Sequence, residues 1–155
     1  MEMNDQYGTE RSIGFKERRY IEELRILTAA TAMDCMIDDR FDRVVYVIRP
    51  GDMGLAIGRN GDNIRKMHRV LGKRVEMVEF DEVRERFVAN MFKPATVALV
   101  VMGESLDPVM VTVAKQGDFG LAIGKGGSTI EKARMLVRRF YGKDIGEIVV
   151  QEDAE

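Results

Sequence analysis

Apolar positions along the chain follow first a helical and then an extended pattern. From about Arg18 to Met33 they recur every three or four residues, which predicts an amphipathic helix. The repeating positions are Tyr20, Leu24, Leu27 and Thr31, widened by Ile21 and Ala30. Two β-type runs, Cys35–Ile37 and Val44–Ile48, are separated by the polar turn Asp38–Arg40 and predict two strands.

A glycine-containing segment follows these strands, and a second helical pattern follows the glycines. Ile64, Met67 and Leu71 lie on one helical face, and Gly72 is a typical C-terminal stop. The run Val75–Val78 then returns to an extended pattern. The first part of the chain therefore reads helix, strand, strand, glycine loop, helix, strand.

The same order recurs in the second part of the chain. Helices are predicted on Val83, Phe87 and Met91 and on Ile130, Ala133 and Val137, and strands over Val97–Met102, Val109–Val113 and Ile145–Val150. Residues 51–61 and 117–127 are close copies of each other, 66 residues apart. This spacing suits a small domain that occurs twice. We predict a tail over 1–17 and domains over 18–80 and 81–155, the second with a short acidic tail.

Each copy contains the pattern Ile-Gly-x-x-Gly-x-x-Ile, over Ile57–Ile64 and Ile123–Ile130. Glycines at this spacing permit a tight turn with positive φ and let another molecule approach the backbone. A helix is predicted to start directly after each loop, with Asp62 and Ser128 as N-caps and Ser128–Glu131 as a capping box. Free N–H groups and the helix dipole would then favour an anion such as a phosphate.

Charge is unevenly distributed although the totals nearly cancel, with 24 basic and 26 acidic residues giving −2. Residues 58–74 and residues 124–143 each carry six basic side chains against one acid. In the helix predicted after the first glycine loop, the side opposite the apolar face carries Arg65, Lys66, Arg69 and Lys73. The chain therefore predicts a basic surface beside each glycine loop, with acidic residues collected elsewhere.

Other function classes receive little support. The glycine spacing fits neither a Walker A loop nor the dinucleotide fingerprint, and no nucleophile elbow is present. Cys35 is expected to be a small buried apolar residue and His68 a boundary residue, so neither suggests a metal site. We predict no enzyme activity and no cofactor. The longest apolar run, Val97–Met102, is too short to span a bilayer, and the N-terminus lacks a signal-peptide pattern, which favours a cytoplasmic protein.

The duplicated Ile-Gly-x-x-Gly-x-x-Ile pattern resembles the RNA-binding loop of KH domains. The amino-acid sequence of residues 49–58 and 63–67 is similar to that of archaeal NusA-like transcription termination/antitermination factors. This resemblance implies an α+β fold of two tandem type II KH domains. Each would have the order α-β-β-α-α-β, with a three-stranded sheet and its helices packed on one face. No room is expected for the polymerase-binding and S1 domains of bacterial NusA.

The resemblance and the basic residues together predict the site. The candidate RNA-binding residues are Gly58, Arg59, Asn60, Gly61, Arg65, Lys66, Arg69, Gly124, Lys125, Gly126, Gly127 and Lys132. The candidate floor of the base-binding groove consists of Ile57, Ile64, Ile123 and Ile130. Each loop would hold the sugar-phosphate backbone of about four unpaired nucleotides.

The predicted function is single-stranded RNA binding in the control of transcription termination or elongation. RNA polymerase and other transcription factors are further candidate partners, and no membrane partner is expected. The alternative is an adaptor that uses KH folds as a scaffold for protein partners. The sequence leaves the oligomeric state open, and a monomer is compatible with it.

Overall fold

The computed structural model describes residues 2–4 and 10–151 of the chain. The remaining residues of the predicted N-terminal tail, and residues 152–155 of the predicted acidic tail, lie outside this part. Two short strands near the N-terminus, β1 (Glu2–Asn4) and β2 (Glu10–Ser12), pair with each other. Contacts within the chain separate two compact units, here called unit 1, which contains Ser12–Phe80, and unit 2, which begins at Asp81 and also includes part of the N-terminal segment before Ser12.

Unit 1 contains three helices and a three-stranded sheet. Its elements are α1 (Phe15–Thr28), β3 (Ala32–Asp38), β4 (Arg43–Ile48), α2 (Met53–Ile57), α3 (Asp62–Leu71) and β5 (Arg74–Glu79). Strand β4 lies in the centre, antiparallel to β3 and parallel to β5. Because parallel neighbours need a crossover connection, the chain from β4 to β5 passes through α2, the glycine loop and α3. The loop is therefore held between two helices that pack against one sheet.

Unit 2 repeats this arrangement. Its elements are α4 (Arg84–Met91), β6 (Val97–Val101), β7 (Val109–Val113), α5 (Gln116–Ile123), α6 (Ser128–Tyr141) and β8 (Ile145–Val150). Strand β7 is antiparallel to β6 and parallel to β8. The second glycine loop thus occupies the same place in its crossover as the first. The element order α-β-β-α-α-β is present in both units.

The first helix begins and ends earlier than its apolar pattern predicts. Ala29 adopts a left-handed conformation (φ 67°), and its N–H donates to the Arg25 carbonyl at 2.8 Å. The Thr28 hydroxyl donates to the Leu24 carbonyl and accepts from the Ala30 N–H. These bonds close the helix at Thr28, so the prediction that it continues to Met33 is wrong.

The core of unit 1 joins the sheet to its helices. The Tyr46 side chain is fully buried, and its hydroxyl donates to the Tyr20 carbonyl of α1 at 2.8 Å. Burial raises the pKa of Tyr46, so this hydroxyl stays protonated and can serve as a donor. Cys35 is buried, with 1% of the residue exposed, which confirms its prediction as a small core residue. Met67 of α3 is also fully buried and anchors the helix that follows the loop.

An aromatic contact joins the first and last helices of unit 2. The rings of Phe87 in α4 and Phe140 in α6 meet edge to face, with centroids 4.9 Å apart. Both side chains are fully buried, as are Leu136 and Val137 of α6. Burial of these large apolar side chains fixes α6 against the sheet, and so fixes the start of α6 at the glycine loop.

Candidate nucleic-acid interface

The first glycine loop is a 3₁₀ turn between α2 and α3. Three of its residues have positive φ: Gly58 (φ 76°, ψ 172°), Asn60 (φ 54°, ψ 28°) and Gly61 (φ 77°, ψ 16°). Asparagine is among the few non-glycine residues that tolerate the left-handed region. The sequence of the loop is therefore suited to its backbone at each of these three positions.

The second loop has the same conformation although its side chains differ. The matching angles are Gly124 (φ 79°, ψ 167°), Gly126 (φ 64°, ψ 16°) and Gly127 (φ 82°, ψ 15°). Gly126 thus takes the place of Asn60. The backbone geometry of the loop is what the two units share, while the exposed side chains at the tip differ between them.

The first glycine of each loop is also required by close packing. A Cβ built on Gly58 would lie 2.8 Å from the backbone nitrogen of Asn63, and one on Gly124 would lie 2.6 Å from that of Thr129. Such distances do not occur between a real Cβ and a backbone atom, so a side chain here would push the loop away from the next helix. The Asn63 amide also donates to the Leu55 carbonyl at 2.8 Å and thereby ties α3 to α2.

The predicted helix caps are wrong. Gly61 and Gly127 are the N-cap residues, and neither makes a side-chain cap. Asp62 lies inside the first turn, and its carboxylate pairs with Arg65 at 3.2 Å. In α6, Glu131 pairs with Arg134 at 2.6 Å rather than closing the predicted capping box with Ser128. The glycines take the cap position because only their backbone can bend into it with positive φ.

The free N–H groups expected at the loops are partly used inside them. The Gly61 N–H donates to the Gly58 carbonyl, and the Gly127 N–H donates to the Gly124 carbonyl, both at 3.1 Å. The N–H groups of Asp62 and Ser128 donate to the carbonyls of Arg59 and Lys125. Each loop is therefore a self-bonded turn that presents its two central residues outward.

An aspartate that occurs in both copies of the internal repeat holds each loop in place, a role that the sequence patterns do not reveal. The Asp52 carboxylate, just before α2, accepts a hydrogen bond from the Thr31 N–H at 2.8 Å. In unit 2, Asp118 accepts from the Thr96 N–H at 3.1 Å. Each aspartate thus joins the helix before its loop to the start of the first strand. The repetition of Gly-Asp before both loops was the available signal.

The environment of Asp52 favours its ionised form. The hydrogen bond from Thr31, supported by the Arg49 guanidinium, lowers the pKa of Asp52 below its ordinary value, against the opposing effect of burial. Arg49 lies 3.2 Å from the carboxylate. At neutral pH the carboxylate is therefore charged, which strengthens its bond to the backbone N–H.

An apolar cleft lies next to the second loop. It has a volume of about 420 Å³ and is bounded by α5, α6 and β8. Its lining residues are Phe119, Ile123, Ile130, Arg134, Gly146, Glu147 and Ile148. Both floor residues predicted for this loop, Ile123 and Ile130, line the cleft. In unit 1 the corresponding Ile57 and Ile64 are half-buried on α2 and α3.

Strand β8 presents an open edge at this cleft. It lies at the end of the sheet and pairs on one side only, with β7. Val150 is the register partner of Val113, and the N–H of the next residue, Gln151, donates to the Val113 carbonyl. In a parallel ladder this pattern turns the N–H and C=O of Val150 away from β7. The same holds for Ile148, two residues earlier in the same register, and Ile148 lines the cleft. The edge can therefore offer backbone donors and acceptors to a planar polar group in the cleft.

The structure places most predicted RNA-contacting side chains on the surface. The exposed ones are Arg59, Asn60, Arg65, Lys66, Arg69 and Lys125, with Gly126 exposed beside them. Lys132 differs, because its side chain is buried, with 6% of the residue exposed. It is therefore not available at the surface as the prediction required. His68 is exposed and lies outside the buried face of α3.

None of the helices in the part of the chain that the structure describes has the length and apolar character needed to cross a bilayer.

Comparison with known proteins identifies the relatives of this chain. A protein from Halobacterium salinarum called "Probable transcription termination protein NusA" is 40% identical over 127 residues, which span 82% of this chain and 90% of that protein. The protein of the same name from Halococcus morrhuae is 39% identical over 126 residues, 81% of this chain and 89% of that protein. The chain belongs to the archaeal NusA-like family.

Two further comparisons describe the fold of this NusA-like chain. The KH-domain family profile matches residues 17–88, which covers unit 1 and the first residues of unit 2. The crystal structure of APE1850 superposes with a TM-score of 0.75 at 32% identity, covering 90% of this chain and all of that one. The mixed α+β architecture with two three-stranded sheets fits a KH fold.

Proposed function

We propose that this NusA-like chain binds single-stranded RNA through two type II KH domains, residues 18–80 and 81–155, and acts in the control of transcription termination or elongation. RNA polymerase or another transcription factor is its proposed protein partner. The name of the haloarchaeal relatives and the KH-domain match support this assignment. The match of the family profile to unit 1 is extended to unit 2 through the internal repeat and the shared element order.

The observation that carries the proposal is the identical backbone shape of the two loops. Gly58 and Gly124 differ by only a few degrees in φ and ψ, although the residues that follow them are Arg59 in one loop and Lys125 in the other. Both loops keep this glycine-dependent geometry although the side chains at their tips differ. A shared ligand that contacts the loop backbone explains why both copies keep it.

In the proposed mechanism each loop lies against the sugar-phosphate backbone of the RNA. The first glycine of each loop lets the loop pack closely against the helix that follows it, without an intervening side chain. Arg59 and Lys125 then extend from the exposed tip and neutralise phosphate charge. These contacts are independent of base sequence, so they give affinity and register rather than specificity.

Bases would enter the apolar cleft beside the loop. In unit 2 the cleft offers the faces of Ile123 and Ile130 on one side and the open edge of β8 on the other. Stacked or packed bases lose water from their faces, while the outward N–H and C=O of Ile148, which lines the cleft, can bond base edges. This arrangement requires unpaired nucleotides, because a duplex would hide both the faces and the edges of its bases.

The test is direct titration of single-stranded RNA, for example a fluorescein-labelled 12-nucleotide pool of random sequence, followed by fluorescence anisotropy. The variant changes the two exposed tip residues of both loops to aspartate: Arg59→Asp, Asn60→Asp, Lys125→Asp and Gly126→Asp. Asp is tolerated at the left-handed positions 60 and 126, so the fold is expected to persist. We expect RNA binding to be lost, and unchanged affinity in the folded variant would refute the proposal.

A matched control removes the same net charge elsewhere. Arg18, Arg19 and Arg86 are exposed and lie outside both loops and the helices that follow them. Changing these three residues to aspartate alters the charge by −6, as the loop variant does. If affinity depends on contact with the loops, this control should retain most of the binding, with only a general effect of net charge.

A second candidate function, a protein-binding adaptor, is favoured by one observation in unit 2. The sheet exposes apolar side chains at Leu99, Val101, Met110 and Val149, each at 39% exposure or more. Exposed apolar surface of this kind is common where proteins bind each other. The RNA titration separates the two candidates, because an adaptor would give no change in anisotropy with unpaired RNA at micromolar protein in low salt.

A further inference from the structure

The two loops and the helices that follow them differ in charge at matching positions. A constant offset of 66 residues aligns α3 with α6. Two of the four candidate cations of unit 1 align with cations in unit 2, Arg59 with Lys125 and Lys66 with Lys132. The other two align with residues that carry no positive charge, Arg65 with Glu131 and Arg69 with Met135. Equal numbers of basic residues in the two segments thus conceal a difference in where the charges lie.

In unit 1 these cations are exposed and available. Arg59, Lys66 and Arg69 are exposed, and none makes an ion pair with a residue that the structure describes. Arg65 pairs with Asp62 at 3.2 Å, but both side chains are more than half exposed, at 56% and 64%. Exposed pairs of this kind are weak and are readily exchanged for a stronger anionic partner.

In unit 2 most of the basic side chains are already engaged. Lys132 is buried, and Lys143 is 8% exposed and donates to the Ser105 carbonyl at 3.1 Å. Arg134 pairs with Glu131 at 2.6 Å, and both side chains are partly buried, at 37% and 24% exposure. Arg138 pairs with Asp144 at 2.9 Å, but this pair is exposed at 63% and 70% and is as weak as the Arg65–Asp62 pair. Among these and Lys125, only Lys125 is both exposed and without an ion pair to a described residue.

We propose that the two units divide the work of holding RNA: unit 1 supplies the phosphate attraction, and unit 2 binds mainly through its apolar cleft. The inference rests on the proposed RNA-binding function and deepens it. Cations that face solvent release counterions from phosphates on binding, whereas cations already paired with carboxylates add little net charge. The salt dependence of RNA binding therefore originates mainly in unit 1.

Two triple variants that remove equal charge test this assignment. One is Arg59→Gln, Lys66→Gln and Arg69→Gln in unit 1, and the other is Lys125→Gln, Arg134→Gln and Arg138→Gln in unit 2. The random 12-nucleotide RNA pool is titrated against each protein between 50 and 500 mM KCl. Because each phosphate contact to a single strand contributes about 0.7 to the slope of log affinity against log salt, the unit 1 variant should lose about 2 from the slope. The unit 2 variant should lose only about 1, from Lys125 and in part from the loosely paired Arg138.

The possible outcomes are distinct. Equal losses of slope in the two variants, or a larger loss in the unit 2 variant, would overturn the division of work while leaving RNA binding in place. Absence of binding by the unaltered chain in low salt would overturn the proposed function and this inference with it. Thermal unfolding of both variants controls for folding, which these surface substitutions are expected to preserve.

A variant that adds charge gives an independent check. Glu131→Gln removes the partner of Arg134 and leaves this arginine free at the wall of the cleft. The slope should then increase by about 0.7, as expected for one added phosphate contact. The matching substitution Asp62→Gln in unit 1 frees only Arg65, which is already loosely held, and should change the slope less. An unchanged slope for Glu131→Gln would contradict the role assigned to its ion pair.

Discussion

The Asp52 carboxylate accepts a hydrogen bond from the backbone N–H of Thr31, 2.8 Å away and 21 residues earlier in the chain. This bond fixes the start of α2 to the start of β3, and through α2 it fixes the first glycine loop. Asp118 and Thr96 repeat the relationship in unit 2. The aspartates are therefore positioning residues for the loops and would not contact RNA themselves.

The charge of Asp52 makes its contribution to stability depend on pH. Its pKa is lowered in the folded protein from an ordinary value of 3.8. A lowered pKa stabilises the fold above pH 3.8, and this stabilisation is lost as the pH falls through the lower folded value. Asp52→Asn should therefore reduce the melting temperature at pH 7, and the difference from the unaltered protein should shrink below pH 3.8.

Thermal unfolding followed by circular dichroism from pH 7 to pH 3 measures this effect. Asp39→Asn is a suitable control, because the Asp39 side chain is 90% exposed and its ion pair with Lys73 is long, at 3.7 Å. The control should show little change at any pH. A constant difference between Asp52→Asn and the unaltered protein across the range would show that charge on Asp52 does not support the bond.

Two glycines close together in the chain should respond in opposite ways to alanine. Gly58 has positive φ and no room for a Cβ, so Gly58→Ala should destabilise unit 1 by about 1–3 kcal/mol and weaken RNA binding. Gly54 lies in α2 with open space at its Cβ position. Gly54→Ala should therefore be neutral or stabilise by up to about 1 kcal/mol. Urea denaturation compares them, and similar losses in both variants would contradict the geometric argument.

A buried arginine in unit 1 depends on its two carboxylate partners. Arg43 is fully buried, with its Nε 2.7 Å from Asp38 and its Nη1 2.9 Å from Glu76. Its Nη2 has no hydrogen-bond partner among the described residues, so the guanidinium is already incompletely satisfied. Removal of one carboxylate would leave a buried charge poorly compensated, which is costly in a low dielectric.

Asp38→Asn should accordingly destabilise the protein by about 3 kcal/mol, measured by urea denaturation. Arg43→Met removes the buried charge together with the need for partners and should cost less, since Asp38 and Glu76 lie closer to solvent than Arg43 does. A greater loss from Arg43→Met than from Asp38→Asn would show that the ion pairs themselves, and not relief of a buried charge, dominate the stability here.

Local patterns predicted the elements of this fold well, and failed where side chains act across the sequence. The β-branched run Val44–Ile48 forms strand β4, which begins one residue earlier than predicted, at Arg43. The helix predicted to reach Met33 ends at Thr28, because Ala29 takes a left-handed conformation that no propensity scale assigns to alanine. Sequence spacing groups Lys132 with the surface cations, but its side chain is buried, because spacing alone does not show which residues are buried.

The helix caps failed for a related reason. Ser128 and Glu131 match the local pattern of a capping box, but the glycine before them takes the cap position and Glu131 bonds Arg134 instead. The pattern describes what two side chains can do in isolation, whereas the loop geometry is set by packing of α5 against α6. The same packing forms the cleft, whose residues come from three separate elements and could be only partly identified from the sequence.

The apolar cleft of unit 2 gives the last prediction. Phe119 lies on α5 and lines the cleft, where its ring can pack against a base. Loss of a base-stacking aromatic commonly costs about 1–3 kcal/mol of binding free energy, so Phe119→Ala should weaken RNA affinity by about tenfold. The salt dependence should stay unchanged, because no charge is removed.

Leu121→Ala provides the matched control for this variant. Leu121 lies on the same short helix but is 46% exposed and does not line the cleft. Its replacement removes a comparable apolar side chain without altering the proposed base site, so RNA affinity should be retained. Equal affinity losses in the two variants would indicate that α5 tolerates neither change and that the cleft is not the site of base contact. A selective loss for Phe119→Ala at constant salt slope would instead separate base binding in unit 2 from phosphate attraction in unit 1.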